Sequence, residues 1–323
     1  MNDKIKRLKW ACYTTNVSMA VVASLSPILF ITLRSTYGIS YTLLGLLVLV
    51  NFSTQLLVDL LFSFFSYRFN ISKCVKITPF LTVVGFALYA VLPWLFPNYA
   101  YLGILLGTLV FSASSGLAEV LISPVIAAIP SENPEREMSK LHSIYAWGVV
   151  GVIIIGTLFL LCFGRESWQY PVLLFTIVPL LSVFLFAGAK LPHLDTPEKI
   201  SGVVSMLKRK ELWICVLCIF LGGACECTMA QWSSGYIETA LGIPKVWGDI
   251  FGVALFGLML GLGRTLYAKY GKNIERVLFF SAIGATLCYF TASISSVAII
   301  GLIACALTGL CTAMMWPGSL IVA

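Results

Sequence analysis

Three carboxylates, Asp59, Glu119 and Glu226, stand inside stretches that are otherwise apolar. An acid placed away from water holds a proton or pairs with a cation, and such acids mark proton relays and solute pathways. Uncharged polar residues accompany them at helical spacing. Ser112, Ser115, Glu119 and Ser123 fall at i, i+3, i+7 and i+11, one face of a helix. Asn51, Gln55 and Asp59 share a face at i, i+4 and i+8, and Thr308, Thr312 and Trp316 repeat that geometry. Gln231, Ser234 and Glu238 form a fourth stripe. Lipid cannot satisfy such faces, so they are expected to meet protein or water. The chemistry they offer is reversible protonation, together with hydrogen bonding to an uncharged, hydroxyl-rich solute. Tyr145, Trp147, Trp232, Tyr236 and Trp316 add flat faces with polar tips.

The candidate set follows from these stripes. Glu119 and Glu226 are the proton-coupling candidates. Asn16, Asn51, Gln55, Asp59, Ser115, Tyr145, Trp147, Gln231, Trp232, Thr312 and Trp316 are the solute-binding candidates. A plainer alternative exists for each hydroxyl, an interhelical hydrogen bond of about 0.6 kcal/mol. Trp94, Trp168 and Trp247 near helix ends read as belt or packing residues, and His142 as a cap or interface residue. The sequence carries no His-Glu-x-x-His, Gly-x-Ser-x-Gly or phosphate-loop pattern, so neither catalysis nor a cofactor is expected. Cys215-x-x-Cys218 and Cys225-x-Cys227 lie within one apolar helix without a second ligand pair, and read as small packing residues rather than a metal site.

What positions these residues must be a membrane bundle. Of 323 residues, 59% are hydrophobic and 11% charged, with mean hydropathy +0.95. A soluble particle of this size could not hide so much apolar surface, which excludes a soluble enzyme and a disordered chain. The net charge of +7 is scattered through short loops rather than gathered on a wet face, so nucleic acid is not the expected partner. The apolar runs are continuous and about twice the length of a barrel strand, which points to helices. They place spans near 10–33, 41–66, 74–96, 99–129, 140–163, 169–190, 212–238, 246–268, 274–294 and 297–323. Eighteen of the 21 Lys and Arg then fall at the N-terminus or in and beside the even-to-odd loops. The positive-inside rule puts the N-terminus and the long 6–7 loop in the cytoplasm of a multi-pass protein of the plasma membrane. Gly257-x-x-x-Gly261 reads as a helix-packing signal.

The chain also repeats. Trp10-Ala11-Cys12 matches Trp213-Ile214-Cys215, and Tyr67-Arg68-Phe69-Asn70-Ile71 matches Tyr270-Gly271-Lys272-Asn273-Ile274, both at an offset of 203. Gly116-Leu117 and Pro124 match Gly309-Leu310 and Pro317 at an offset of 193. Span 1 thus pairs with 7, 2 with 8 and 4 with 10, the mark of duplicated halves. The division expected is a six-helix bundle over 1–190, a cytoplasmic linker over 191–210, and a four-helix bundle over 211–323. At an offset of 193, Ala323 falls on Pro130, so the second half is expected to need about 60 further residues for two more spans.

Two such halves with a long central loop resemble the major facilitator superfamily. Within it, Gly116-Leu117-Ala118-Glu119-Val120-Leu121-Ile122-Ser123-Pro124 and Met314-Met315-Trp316-Pro317-Gly318 are similar to spans 4 and 10 of the fucose-permease branch. The resemblance implies an all-α major facilitator fold, its second bundle incomplete. It also implies a monomeric secondary transporter that moves a small polar solute, such as a sugar, with protons. It carries a proton-coupling role to Glu119. The branch's span-1 aspartate has no counterpart here, since no acid lies between Trp10 and Arg34. Glu226, paired with Ala23 through the repeat, would supply that carboxylate from the other half. A transport-inactive sensor of the same fold, or an exporter of amphipathic drug-like molecules, is the alternative.

Overall fold

The computed structural model describes residues 3–131, 133–192, 194 and 205–322, and these form helices but no strand. The helices are α1 (Asp3–Tyr37), α2 (Tyr41–Phe65), α3 (Ile71–Leu95), α4 (Ala100–Ala127), α5 (Pro134–Phe163), α6 (Gln169–Phe175) and α7 (Ile177–Ala187). Beyond the central loop come α8 (Lys210–Thr239), α9 (Leu255–Tyr270), α10 (Ile274–Ile294), α11 (Ala298–Thr312) and α12 (Met315–Val322). Ten helical stretches among the described residues are long and apolar enough to cross a bilayer, one for each expected run. The protein is a multi-pass membrane protein.

Local chemistry sets the ends. Ser40 caps α2 by accepting from the Leu43 N–H at 3.2 Å, and Asn70 caps α3 by accepting from the Lys73 N–H at 3.0 Å. Gly38 stops α1 with φ of 65° while its N–H closes on the Arg34 carbonyl, a left-handed turn that a Cβ would oppose. Three spans are irregular inside. Thr176 separates α6 from α7, and Ala313 and Met314 separate α11 from α12. The span ending in α9 begins with π-helical turns over Gly248–Ala254.

The chain forms two compact units, Met1–Ser131 with Leu158–Val203, and Glu132–Thr157 with Val204–Ala323. The first part of α5 belongs to the second of these units, with the C-terminal helices. The expected linker 191–210 falls mostly outside the described residues.

In the first unit α3 and α4 meet backbone to backbone. A Cβ on Gly85 would lie 2.6 Å from the Phe111 nitrogen, and one on Gly107 2.5 Å from the Tyr89 nitrogen. Hydroxyls fasten the same seam, with Thr82 and Ser114 2.6 Å apart and Ser114 donating to the Thr78 carbonyl at 2.6 Å. Such small-residue seams replace the hydrophobic drive that lipid removes. The Arg7 guanidinium donates to the Phe184 and Leu185 carbonyls at the end of α7, joining first span to sixth. Trp168 is fully buried, edge-on to Tyr37 and Tyr89, and so is a packing residue. Gly107→Val should force α3 from α4. We expect a loss of about 1–3 kcal/mol, read as a lower melting midpoint in detergent; an unchanged midpoint would show that the seam can open freely.

The second unit uses the same device. Cβ atoms on Gly257 and Gly261 would touch Val150 and Trp147 of α5 at 3.1 and 3.3 Å, so the Gly-x-x-x-Gly stripe of α9 is the surface on which α5 lies. A Cβ on Gly263 would collide with Ala313, and one on Gly309 with the Phe256 carbonyl, which brings α9 against α11. The Tyr289 hydroxyl donates to the Cys225 carbonyl at 2.6 Å and fastens α10 to α8.

Candidate functional site

Within the first unit the polar stripes of α2 and α4 face one another. Ser112 donates to Asn51 Oδ1 at 2.5 Å, and Gln55 Nε2 donates to the same oxygen at 2.9 Å. One turn on, Gly116 lies against the backbone of Gln55, where a Cβ would be 3.1 Å from its Cα. Asn51 with Ser112 and Gln55 with Gly116 share one residue offset, 61, so the two helices run parallel in register. That register sets Asp59 level with Val120, beside Glu119, and the two carboxyls are close enough to interact electrostatically. Asp59 Oδ1 is buried without a hydrogen-bond partner. Ser115 is buried on the same face of α4, and Asn16 is buried on α1. The structure therefore gathers Asn51, Gln55, Asp59, Ser115 and Glu119 into one polar seam. It can hydrogen-bond hydroxyls at one end and hold a proton at the other.

The second unit is organised around a residue that the stripes do not reveal. Arg264, on α9, is 1% exposed. Its Nη2 donates to Glu226 Oε2 on α8 at 2.6 Å, its Nε to the Ala313 carbonyl at 2.9 Å, and its Nη1 to the His142 carbonyl on α5 at 3.2 Å. Ser139, a turn before His142, donates to the Arg264 carbonyl at 3.1 Å. One guanidinium thus joins α5, α8, α9 and the break in the tenth span. Its planar fork suits this, since a guanidinium can aim separate donors at separate acceptors. Capping Ala313 also satisfies a carbonyl freed where α11 stops. His142 is buried with its ring edge-on to Trp316 at 4.9 Å between centroids, and its Nε2 has no hydrogen-bond partner.

The other expected residues are placed around this hub. Trp147 donates from Nε1 to the Thr265 hydroxyl at 3.3 Å and packs on Gly261; Tyr145 is half-buried on the same helix. Thr312 is buried but turns its hydroxyl to the Thr308 carbonyl of its own helix at 2.9 Å. Gln231 and Trp232 lie further along α8 than Glu226, and Trp232 is 72% exposed, outside the packed cluster. The side chain of Glu238 is outside the described residues.

Sequence reasoning grouped Arg264 with the basic residues that surround a cytoplasmic loop. The structure places it inside α9, with Thr265-Leu266-Tyr267-Ala268 still to follow before Lys269. The signal that could have found it was available: a lone cation inside an apolar run, with an acid in the neighbouring span. His142 is likewise a core residue rather than a cap. For Ser139, which stands in a polar stretch near the start of α5, no pattern pointed inward.

A family model described as the Major Facilitator Superfamily matches residues 11–323. No curated protein matches the chain by sequence. Among solved structures, a proton:xylose symporter of the same superfamily, bound to 6-bromo-6-deoxy-D-glucose, is 14% identical with a TM-score of 0.78, covering 98% of this chain and 81% of that one. The E. coli fucose:proton symporter is 15% identical with a TM-score of 0.72, covering 98% of this chain and 84% of its own.

Proposed function

The chain belongs to the Major Facilitator Superfamily, and on that premise we propose that it is a secondary active transporter moving a small, uncharged, hydroxyl-rich solute, a sugar or a close analogue, by alternating access with proton coupling. The observation that carries this reading is the polar seam of α2 and α4. Asn51, Gln55 and Ser112 form a connected set of uncharged donors and acceptors, and it runs directly into Asp59 and Glu119. A seam of this composition favours hydroxyls over either sign of charge, while the carboxyl pair gives the proton a place beside the solute. Structural likeness to xylose and fucose symporters is consistent with the same class of cargo. The asymmetric basic loops support a cytoplasmic N-terminus and central loop.

Coupling is assigned to Glu119, with Asp59 standing where a second acid is needed. Glu226, the other expected coupling residue, is engaged by Arg264 at 2.6 Å and serves in this reading as a counter-charge. Tyr145, Trp147 and Trp316 of the second unit are assigned in this reading as aromatic surface for the solute.

Purified protein in liposomes preloaded with unlabelled sugar should accumulate radiolabelled L-fucose or D-xylose transiently by counterflow. A panel of neutral hexoses and pentoses would define the preference. Binding of a sugar without counterflow would support the sensor alternative and overturn transport. Counterflow of amphipathic cations but of no sugar would support the exporter alternative.

A further inference from the structure

Sulfur sits at the contact between α10 and α11, consecutive spans joined through residues 295–297. A Cβ on Gly284 of α10 would lie 2.7 Å from Cys311 Sγ and 3.5 Å from Cys311 Cβ, so α11 rests Cys311 directly on the α10 backbone. Gly284 and Cys288 share one face of α10 at i and i+4. Along that face the Cys311 thiol meets Cys288, with which it shares a side-chain hydrogen bond. Close packing accounts for only half of this arrangement. A small residue is needed at 311, where the backbones approach, and alanine would fill that place. It does not account for a second thiol in touch with the first. Both cysteines are half-buried, and Phe280, Ile283 and Leu287 near them on α10 are exposed, so the pair can be reached from the apolar side of the bundle.

We propose that Cys288 and Cys311 form a dithiol site for a neutral trivalent arsenical, held as one chelate between the ninth and tenth spans. An arsine oxide reacts with both thiols together. Two As–S bonds form, the As–O bond and two S–H bonds break, and both protons leave with the oxygen as one water. Arsenic stays trivalent, no electron is transferred and no charge appears, so the step suits apolar surroundings. Other ligands fit less well. Zinc takes four ligands, and among the described residues no group of three or more His, Cys, Asp or Glu could hold a metal ion. A soft monovalent ion such as Cu(I) on two thiolates would leave a net negative charge in the bilayer. A disulfide demands closely spaced Cα atoms, yet Cys288 stands about 6 Å along the axis from Gly284, on which Cys311 rests. A bridging atom spans that offset more easily than a direct sulfur–sulfur bond. The bridge anchors the last turn of α11 immediately before the break at Ala313 and Met314.

Phenylarsine oxide, uncharged and lipid-soluble, is the probe. The full chain in nanodiscs is treated, washed with excess 2-mercaptoethanol, and its bound arsenic measured by mass spectrometry. A chelate resists a monothiol because each broken As–S bond re-forms within the molecule, whereas single adducts on other cysteines exchange away. We expect about one arsenic per protein to survive the wash, and 2,3-dimercaptopropanol, itself a dithiol, to remove it. Cys288→Ala and Cys311→Ala should each lower retention about a hundredfold, alanine keeping the small volume required beside Gly284. Treatment should raise the melting midpoint of the wild-type chain and leave that of either variant in place. Two controls should retain arsenic as the wild-type chain does. Cys215→Ala removes a thiol spaced i, i+3 from Cys218 on α8, and Cys305→Ala removes the other thiol that interacts electrostatically with Cys288. No retained arsenic in the wild-type chain would overturn the proposal. So would retention that survives Cys311→Ala, whether it then depends on Cys215 or on Cys305. Equal loss in the controls would trace the effect to a disturbed bundle and overturn it too. No transport assay enters, so the outcome is independent of the transport reading.

Discussion

Glu119→Gln should abolish pH-driven accumulation of substrate in proteoliposomes, down to the level of protein-free vesicles, while counterflow exchange remains measurable. The argument is one of necessity. A coupling group must bind and lose a proton in every cycle, and glutamine keeps the size and most of the hydrogen bonds of glutamate but cannot ionise. Exchange requires only that the solute-loaded protein change sides, so a permanently neutral group does not prevent it. The structure adds a second arm. Asp59 stands beside Glu119 in the register of α2 and α4, with one carboxylate oxygen buried and unpartnered. Asp59→Asn should therefore impair gradient-driven uptake as well. Concentration of solute down an imposed pH gradient by Glu119→Gln would leave Glu119 as a hydrogen-bonding residue and move coupling elsewhere, with Glu226 next in line.

Separating Arg264 from Glu226 should be the most destabilising polar change in the second unit. Arg264→Gln leaves a carboxylate in the bundle without its cation, and Glu226→Gln leaves a guanidinium without its anion. Breaking a buried pair from one side costs about 3–5 kcal/mol, far more than a single interhelical hydrogen bond. Removing both charges together avoids the uncompensated ion, so the double variant should recover part of the loss, with a coupling energy of about 0.5–3 kcal/mol. Recovery will be incomplete because the bonds to Ala313 and His142 go with the guanidinium. Melting midpoints of the four proteins in one detergent close the cycle. Strict additivity would mean that the 2.6 Å contact carries no energy and that Arg264 acts only through its carbonyl partners.

Much of the architecture is a local matter and could be read along the chain. Apolar length determines the ten membrane-length helices among the described residues, and Ser40, Asn70 and Gly38 set boundaries through bonds that reach no further than four residues. The helical period alone puts Asn51, Gln55 and Asp59 on one face and Ser112, Ser115 and Glu119 on another. Gly257 and Gly261 announce a close helix contact by their spacing. None of this says which face meets which. The offset of 61 that brings Asp59 beside Glu119 depends on how α2 and α4 slide and rotate against each other, and no local property of either helix contains it. The partner of the glycine stripe turned out to be α5, and the partner of Glu226 an arginine first read as a loop charge. In water, hydrophobicity would have separated inner faces from outer ones. In a bilayer the solvent is as apolar as the helix surface, so an apolar face is equally at home against lipid or protein. Which helices pair, and which buried charge each one meets, is decided only when small residues allow backbones to approach and polar groups find partners across the gap.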